Sequence, residues 1–122
     1  MFRYLASPYS DPSEIVRELR YRAVESAVVA RLHEGVHVYS PIVHCHPLAV
    51  RYDLPKDAKF WMEYNKAMIR LAWEFEVLRL PGWEESVGIK SEIAFVDSLK
   101  ITHPLYSDPA EDEVIEALRK LA

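Results

Sequence analysis

A chain of 122 residues, half of them hydrophobic and 28% charged, with a formal net charge of −4, is sized for one domain whose core needs neither metal nor disulfide staples. The acidic balance argues against a general nucleic-acid coat protein, although a local site on such a surface can still hold a small anion. Cys45 is the only cysteine, so no internal disulfide forms and a cytoplasmic, reducing location is expected.

The N-terminus runs straight into a strand pattern, with no basic region followed by a long apolar stretch, so no signal peptide is read. No apolar run approaches the roughly 20 residues that span a bilayer, and no membrane partner is expected. Phe2 to Ala6 reads as a buried strand and Ser7-Pro8-Tyr9-Ser10 as a loop. Asp11-Pro12-Ser13-Glu14 is a helix start, with Asp11 as N-cap, Pro12 at the first helical position and Glu14 closing a capping box. Ile15, Leu19, Ala23, Ala27 and Ala30 follow at helical spacing, and Gly35 ends the helix. Val36 to Tyr39 is a second strand. Residues 41 to 57, with Pro41, Pro47 and Pro55, read as a long connection of the kind that often carries function.

A second helix is expected from about Ala58 to Trp73, with Trp61, Tyr64, Met68 and Leu71 as its apolar face. Phe75 to Leu80 is the third strand. Val87 to Leu99 is the third helix, with Ile89, Ile93, Val96 and Leu99 inward. A short fourth strand is expected around Ile101, closed by His103-Pro104. Asp108-Pro109-Ala110-Glu111 repeats the earlier start signal, and Val114, Ile115, Leu118 and Leu121 mark a last helix. Strand and helix alternate throughout, with crossovers long enough for βαβ units. The expectation is an α/β domain over 1–122, a doubly wound parallel sheet of four to five strands in three α/β/α layers. Ligands of such sheets bind beyond the carboxyl ends of the strands. The segments there are Ser7 to Ser10, Pro41 to His46, Pro81 to Ser86 and His103 to Ser107.

The stretch Gly82-Trp83-Glu84-Glu85-Ser86-Val87-Gly88-Ile89-Lys90-Ser91-Glu92 lies between the third strand and the third helix. Ser86 and Gly88 sit at the helix start, where free amides can grip an anion. Glu92 lies within about two turns of that positive end and is expected to be held ionised there. Such a carboxylate suits nucleophilic attack at an anomeric carbon. Each residue also has a plain reading: Glu92 as a solvated helix glutamate, Ser86 as an N-cap, Tyr4 as core, Tyr9 as a loop tyrosine that could stack on a base. His44 and His46 raise a metal question, but no Cys-x-x-Cys or His-Glu-x-x-His pattern accompanies them, and ligand contact by one of the pair is the better reading. Cys45 has no implied base partner. Phe60, Trp61, Tyr64 and Trp73 read as core or subunit interface, and Arg17, Arg20 and Arg22 as surface charge.

Taken in order, Tyr4-Leu5-Ala6-Ser7-Pro8-Tyr9, Ser40-Pro41-Ile42-x-His44-x-His46-Pro47, Phe60-Trp61 and Gly82-Trp83-x-x-Ser86-x-Gly88-x-x-x-Glu92-Ile93 resemble the nucleoside 2-deoxyribosyltransferase superfamily, nearest to a little-characterised bacterial and phage branch. The resemblance runs from Tyr4 to about Pro104. It implies a small flavodoxin-like fold that cleaves the N-glycosidic bond of a 2′-deoxynucleoside or its 5′-monophosphate, by hydrolysis or by transfer to a second base. It implies Glu92 as nucleophile, Tyr4 as the residue that orients it, and Ser86 as a 5′-phosphate contact. Relatives that use free nucleosides usually carry aspartate at that last place. Ser7, Pro8, Tyr9, His44, His46 and Gly88 are the further expected substrate contacts. No metal or organic cofactor and no nucleic-acid polymer is called for, and a homodimer or homotetramer is expected because relatives complete their sites across subunits.

One residue departs from the pattern. Where the family places an aspartate that assists the leaving base, this chain has Asn65, which can hydrogen-bond a base but cannot give it a proton. Slow turnover, a different base, or a substitute acid such as Asp53 or a histidine would follow. A nucleotide-binding sensor or regulator without catalysis is the alternative. A flavodoxin-like signalling or flavin protein fits less well, since the first loop lacks a Ser/Thr-rich phosphate cradle.

Overall fold

The computed structural model describes residues 1–100 and 102–121. Four strands form one all-parallel sheet: β1 (Arg3–Ala6), β2 (Val38–Tyr39), β3 (Glu74–Leu78) and β4 (Leu105–Ser107), in the spatial order β2-β1-β3-β4. In register, Tyr4 lies beside Tyr39 and Phe75, and Val77 lies beside Ala6 and Tyr106. Five helices cover the sheet: α1 (Glu14–His33), α2 (Pro41–Tyr52), α3 (Ala58–Leu71), α4 (Val87–Leu99) and α5 (Glu113–Leu121). None of the described helices is long and apolar enough to cross a membrane.

Strand alternation divides the core into two. Leu5 and Leu78 face one side and pack with Val16, Ala23 and Val24 of α1 and Ile115 and Leu118 of α5. Tyr4, Ala6, Phe75 and Val77 face the other and pack with Ile69 of α3 and Ile89 and Val96 of α4. The result is a three-layer α/β/α domain of flavodoxin-like type, with both faces of the parallel sheet covered as βαβ crossovers require. The chain turns from β1 outward to β2 and then crosses back to β3. That reversal opens a crevice at the carboxyl ends of the strands.

Several local expectations change. The α1 cap is Ser13, whose hydroxyl accepts from the Val16 N–H at 3.3 Å, while Asp11 accepts from the Ser13 N–H at 2.9 Å. Pro12 therefore precedes the helix. At the last helix the cap is likewise Asp112, accepting from Ile115, and not Asp108. Residues 41–52 are helical: Ser40 caps α2, Pro41 takes the first turn where its missing N–H costs nothing, and Pro47 sits inside the helix. The buried set Pro41, Cys45 and Ala49 falls at every fourth residue, a helical stripe that the three prolines mask. On α3 it is Ile69 that is buried, whereas Leu71 is 72% exposed and Trp73, just beyond the helix, 65% exposed. Phe60 and Tyr64 are also exposed, so that aromatic group is not core. The strand expected around Ile101 falls on a residue outside those described, and the fourth strand begins at Leu105.

Arg20 is buried on α1 and is not surface charge. Its guanidinium donates to the carbonyls of Tyr9 and Ser10 at 3.3 and 3.0 Å, pinning the loop after β1. Gly82, at φ +89°, comes up against the same group: a Cβ there would lie 2.9 Å from Arg20 Nη2. The backbone angle calls for glycine at that position, and any larger residue would also push the Arg20 guanidinium aside.

Candidate active site

A cavity of about 440 Å³ opens at the carboxyl edge of the sheet. Ser7, Tyr9 and Ser10 border it from the loop after β1, and Pro41, Ile42, Cys45, His46 and Ala49 from α2. The loop before α3 adds Lys56, α3 adds Lys59, Trp61 and Asn65, and the segment after β3 adds Ser86, Gly88 and Glu92. Its size lies within the usual range for a small-molecule site.

Glu92 is 5% exposed and lies on the cavity wall. The Tyr4 hydroxyl, itself fully buried on β1, donates to Glu92 Oε2. Tyr4 does not border the cavity; Phe75 stacks on it at 5.6 Å between ring centroids. The expectation that the helix end keeps Glu92 ionised does not hold. Burial pushes its pKa up to about 7, and the Tyr4 hydrogen bond lowers it only in part. The reason is position: with Ser86 as N-cap, Glu92 is the sixth helical residue, beyond the first turn where the dipole acts strongly. Near neutral pH both the carboxylate and the acid are well populated, a state suited to nucleophilic or proton-transfer work.

Ser86 caps α4, accepting from the Ile89 N–H at 3.2 Å. The first amides of the helix, at Val87 and Gly88, have no intrahelical acceptor, and both residues border the cavity, the setting in which a helix start can bind an anion. Lys56 and Lys59 border the same space. Two buried polar atoms on the wall have no partner, Ser7 Oγ and Asn65 Oδ1. Unpaired buried groups are costly, and both are placed for a ligand to satisfy.

The remaining expected contacts divide. Tyr9 and His46 border the cavity and touch each other, with 2.6 Å between Tyr9 Oη and His46 Nδ1. His44 lies two residues earlier, exposed and stacked on Tyr64, outside the cavity. The two histidines are about 200° apart around α2, so the helix that replaces the expected loop carries only one inward. Pro8 is fully buried and does not border the cavity. The Asp53 side chain is fully exposed at the left-handed end of α2, 3.5 Å from Lys56, and does not border the cavity. Cys45 borders the cavity, but burial pushes its thiol up to about 11. Sequence reasoning missed Lys56, Lys59 and Glu18. Glu18 stands at i,i+4 spacing to Arg22, which one of its oxygens meets at 3.5 Å, while its other oxygen lies 2.8 Å from His46 Nε2.

Fold and site together define a flavodoxin-like α/β/α domain with a mostly apolar cavity at the sheet's carboxyl edge and a buried, tyrosine-bound glutamate on its wall. A family model described as "Domain of unknown function (DUF1937)" matches residues 2–107, and the chain belongs to that family. Among curated proteins, none matches this chain.

Proposed function

We propose that this domain is an N-glycosidase or deoxyribosyltransferase of the nucleoside 2-deoxyribosyltransferase superfamily, acting on a 2′-deoxynucleoside 5′-monophosphate. The observation that carries the reading is Glu92: a buried carboxyl, gripped by Tyr4, on the wall of a cavity that also receives the start of α4. In this reading the ionised Glu92 attacks the anomeric carbon and the base departs. Water or a second base then resolves the glycosyl-enzyme. Ser86, the amides after it and the lysines Lys56 and Lys59 would take the 5′-phosphate. Asn65, with its free Oδ1, would contact the base or sugar. A homodimer or homotetramer is part of the same proposal, by likeness to the superfamily.

The test is chromatography of the four common deoxynucleoside monophosphates after incubation with wild type and with Glu92→Ala. Release of free base by the wild type alone supports the proposal, and equal release from both removes it. Asn65 also favours a second reading, a nucleotide-binding sensor without catalysis, because its amide has no proton to give. That reading expects measurable nucleotide binding, no base release at high protein concentration, and no gain from Asn65→Asp.

A further inference from the structure

Glu18 of α1, His46 of α2 and Tyr9 of the loop after β1 form a hydrogen-bonded chain that ends at the cavity. Glu18 Oε2 lies 2.8 Å from His46 Nε2, and His46 Nδ1 lies 2.6 Å from Tyr9 Oη. The imidazole is almost fully buried, and Tyr21 stacks on it with 4.5 Å between ring centroids and 28° between planes. A carboxylate on one ring nitrogen fixes that nitrogen as a proton carrier, leaving the other to exchange a proton with its own partner. The hydrogen bond to His46 holds Glu18 below the usual carboxylate range, which keeps it ionised. Tyr9, the far end of the chain, borders the same cavity as Glu92.

Among the described residues, Asp57, Lys59 and Glu85 also border the cavity but are exposed and belong to no such buried chain. Asn65 carries none to give. Asp53 and His44 lie outside the cavity, and Lys56 is tied to the Leu54 carbonyl at 3.0 Å. We infer that Tyr9, backed by His46 and Glu18, is the proton donor to the leaving base, an inference that rests on the glycosidase reading above.

The step balances as follows. Where His46 Nδ1 carries a proton, it donates to Tyr9 Oη and leaves the phenolic O–H free for substrate. Glu92 forms a C–O bond to the anomeric carbon as the C–N bond breaks and its electron pair stays on the base nitrogen. That nitrogen takes the Tyr9 proton, and Tyr9 takes the Nδ1 proton. Water then attacks the anomeric carbon, the bond to Glu92 breaks with its electrons returning to the carboxylate, and the water's proton passes through Tyr9 back to His46. Tyr9 is the catalytic residue of this set; Glu18 acts through His46 as a positioning residue.

The experiment compares two leaving groups on wild type, Tyr9→Phe, Glu18→Gln and Glu92→Ala. The substrates are the deoxynucleoside monophosphates and 4-nitrophenyl 2-deoxyriboside 5-phosphate, whose nitrophenolate leaves without a proton. Tyr9→Phe is expected to slow first-turnover base release by about 10²- to 10⁴-fold and the first-turnover burst of nitrophenolate by less than about threefold, and Glu18→Gln to show the same split more weakly. Equal losses on both substrates, or no loss on either, overturn the inference while the glycosidase reading stands. A wild type inert on both substrates overturns that reading, and the relay with it.

Discussion

Tyr4 and Glu92 are 88 positions apart in the chain, yet the hydroxyl of one donates to the carboxyl of the other inside the core. β1 supplies the donor and the second turn of α4 the acceptor, so the bond joins the sheet to the helix that presents the carboxyl. It also opposes, in part, the effect of burial on Glu92.

Tyr4→Phe removes that opposition. A hydrogen bond to a charged group contributes about 1.5–3 kcal/mol, so the apparent pKa of Glu92 should rise by about 1 to 2 pH units. In the wild type, activity is expected to increase with pH through about 7, as the nucleophile ionises. In Tyr4→Phe that limb should move upward. A pH–rate profile of base release checks both, and an unmoved limb counts against Glu92 as the ionising group.

Glu92→Gln should trade activity for stability. Burial raises the folded-state pKa of Glu92 from 4.5 to about 7, so the native protein binds a proton that the unfolded chain has already released. That contribution is fully present below about pH 4.5 and is lost as pH rises through 7. Glutamine has no charge to bury. The variant should therefore gain on the wild type between pH 5 and pH 8, by on the order of a few kcal/mol at the upper end. Thermal unfolding at the two pH values measures the gap. A gap that does not widen with pH refutes the assignment.

Ser86 should affect both the helix and the ligand. Loss of the cap in Ser86→Ala is expected to cost about 1 kcal/mol of stability. Under the proposed function it should also raise KM for monophosphates more than for free nucleosides. Ser86→Asp keeps a capping oxygen but sets a negative charge against the phosphate. It should leave stability nearly unchanged and shift preference towards free nucleosides. Steady-state kinetics on paired substrates decides, and identical KM ratios in all three proteins would place the phosphate elsewhere.

Glu76 makes a prediction independent of function. It is 3% exposed on β3, where Arg31 donates at 2.5 and 3.0 Å, Ser107 at 2.5 Å and Arg3 at 3.1 Å. Burial alone would raise its pKa, but the hydrogen bonds from Arg31 and Ser107 outweigh it and hold the group low. Glu76→Ala leaves Arg31 without its carboxylate and Arg3 with only Glu74, at 3.4 Å, and is expected to cost about 3–5 kcal/mol at pH 7. The wild type's advantage is present above the ordinary carboxylate range and is lost as pH falls through the lower folded-state value. Urea denaturation at pH 7 and pH 3 should show the difference between the two proteins shrink.

Much of the site was legible because its markers are local. Ser86-x-Gly88 after a strand run and before a helix places a capped helix start, and the capping bond is there. The α2 segment was not legible, because Pro47 and Pro55 signal loop strongly while Ser40, Pro41 and the buried stripe at 41, 45 and 49 signal helix weakly. That one misreading carried the His44 contact with it, since an extended segment and a helix face their side chains differently. Cap positions slipped for a similar reason: Asp11 and Ser13 are both good caps two residues apart, and only the backbone angles choose between them.

The sequence by itself determined the alternation of strands and helices, the two-faced parallel sheet and the place of Glu92 in α4, because hydrophobic period and helix-start chemistry act over a few neighbouring residues. The tertiary structure alone decided that Glu92 is buried and protonates near neutrality, and that Glu18, His46 and Tyr9 meet. Desolvation and hydrogen bonding between distant segments depend on what the folded chain stacks above a residue, and no local pattern encodes that.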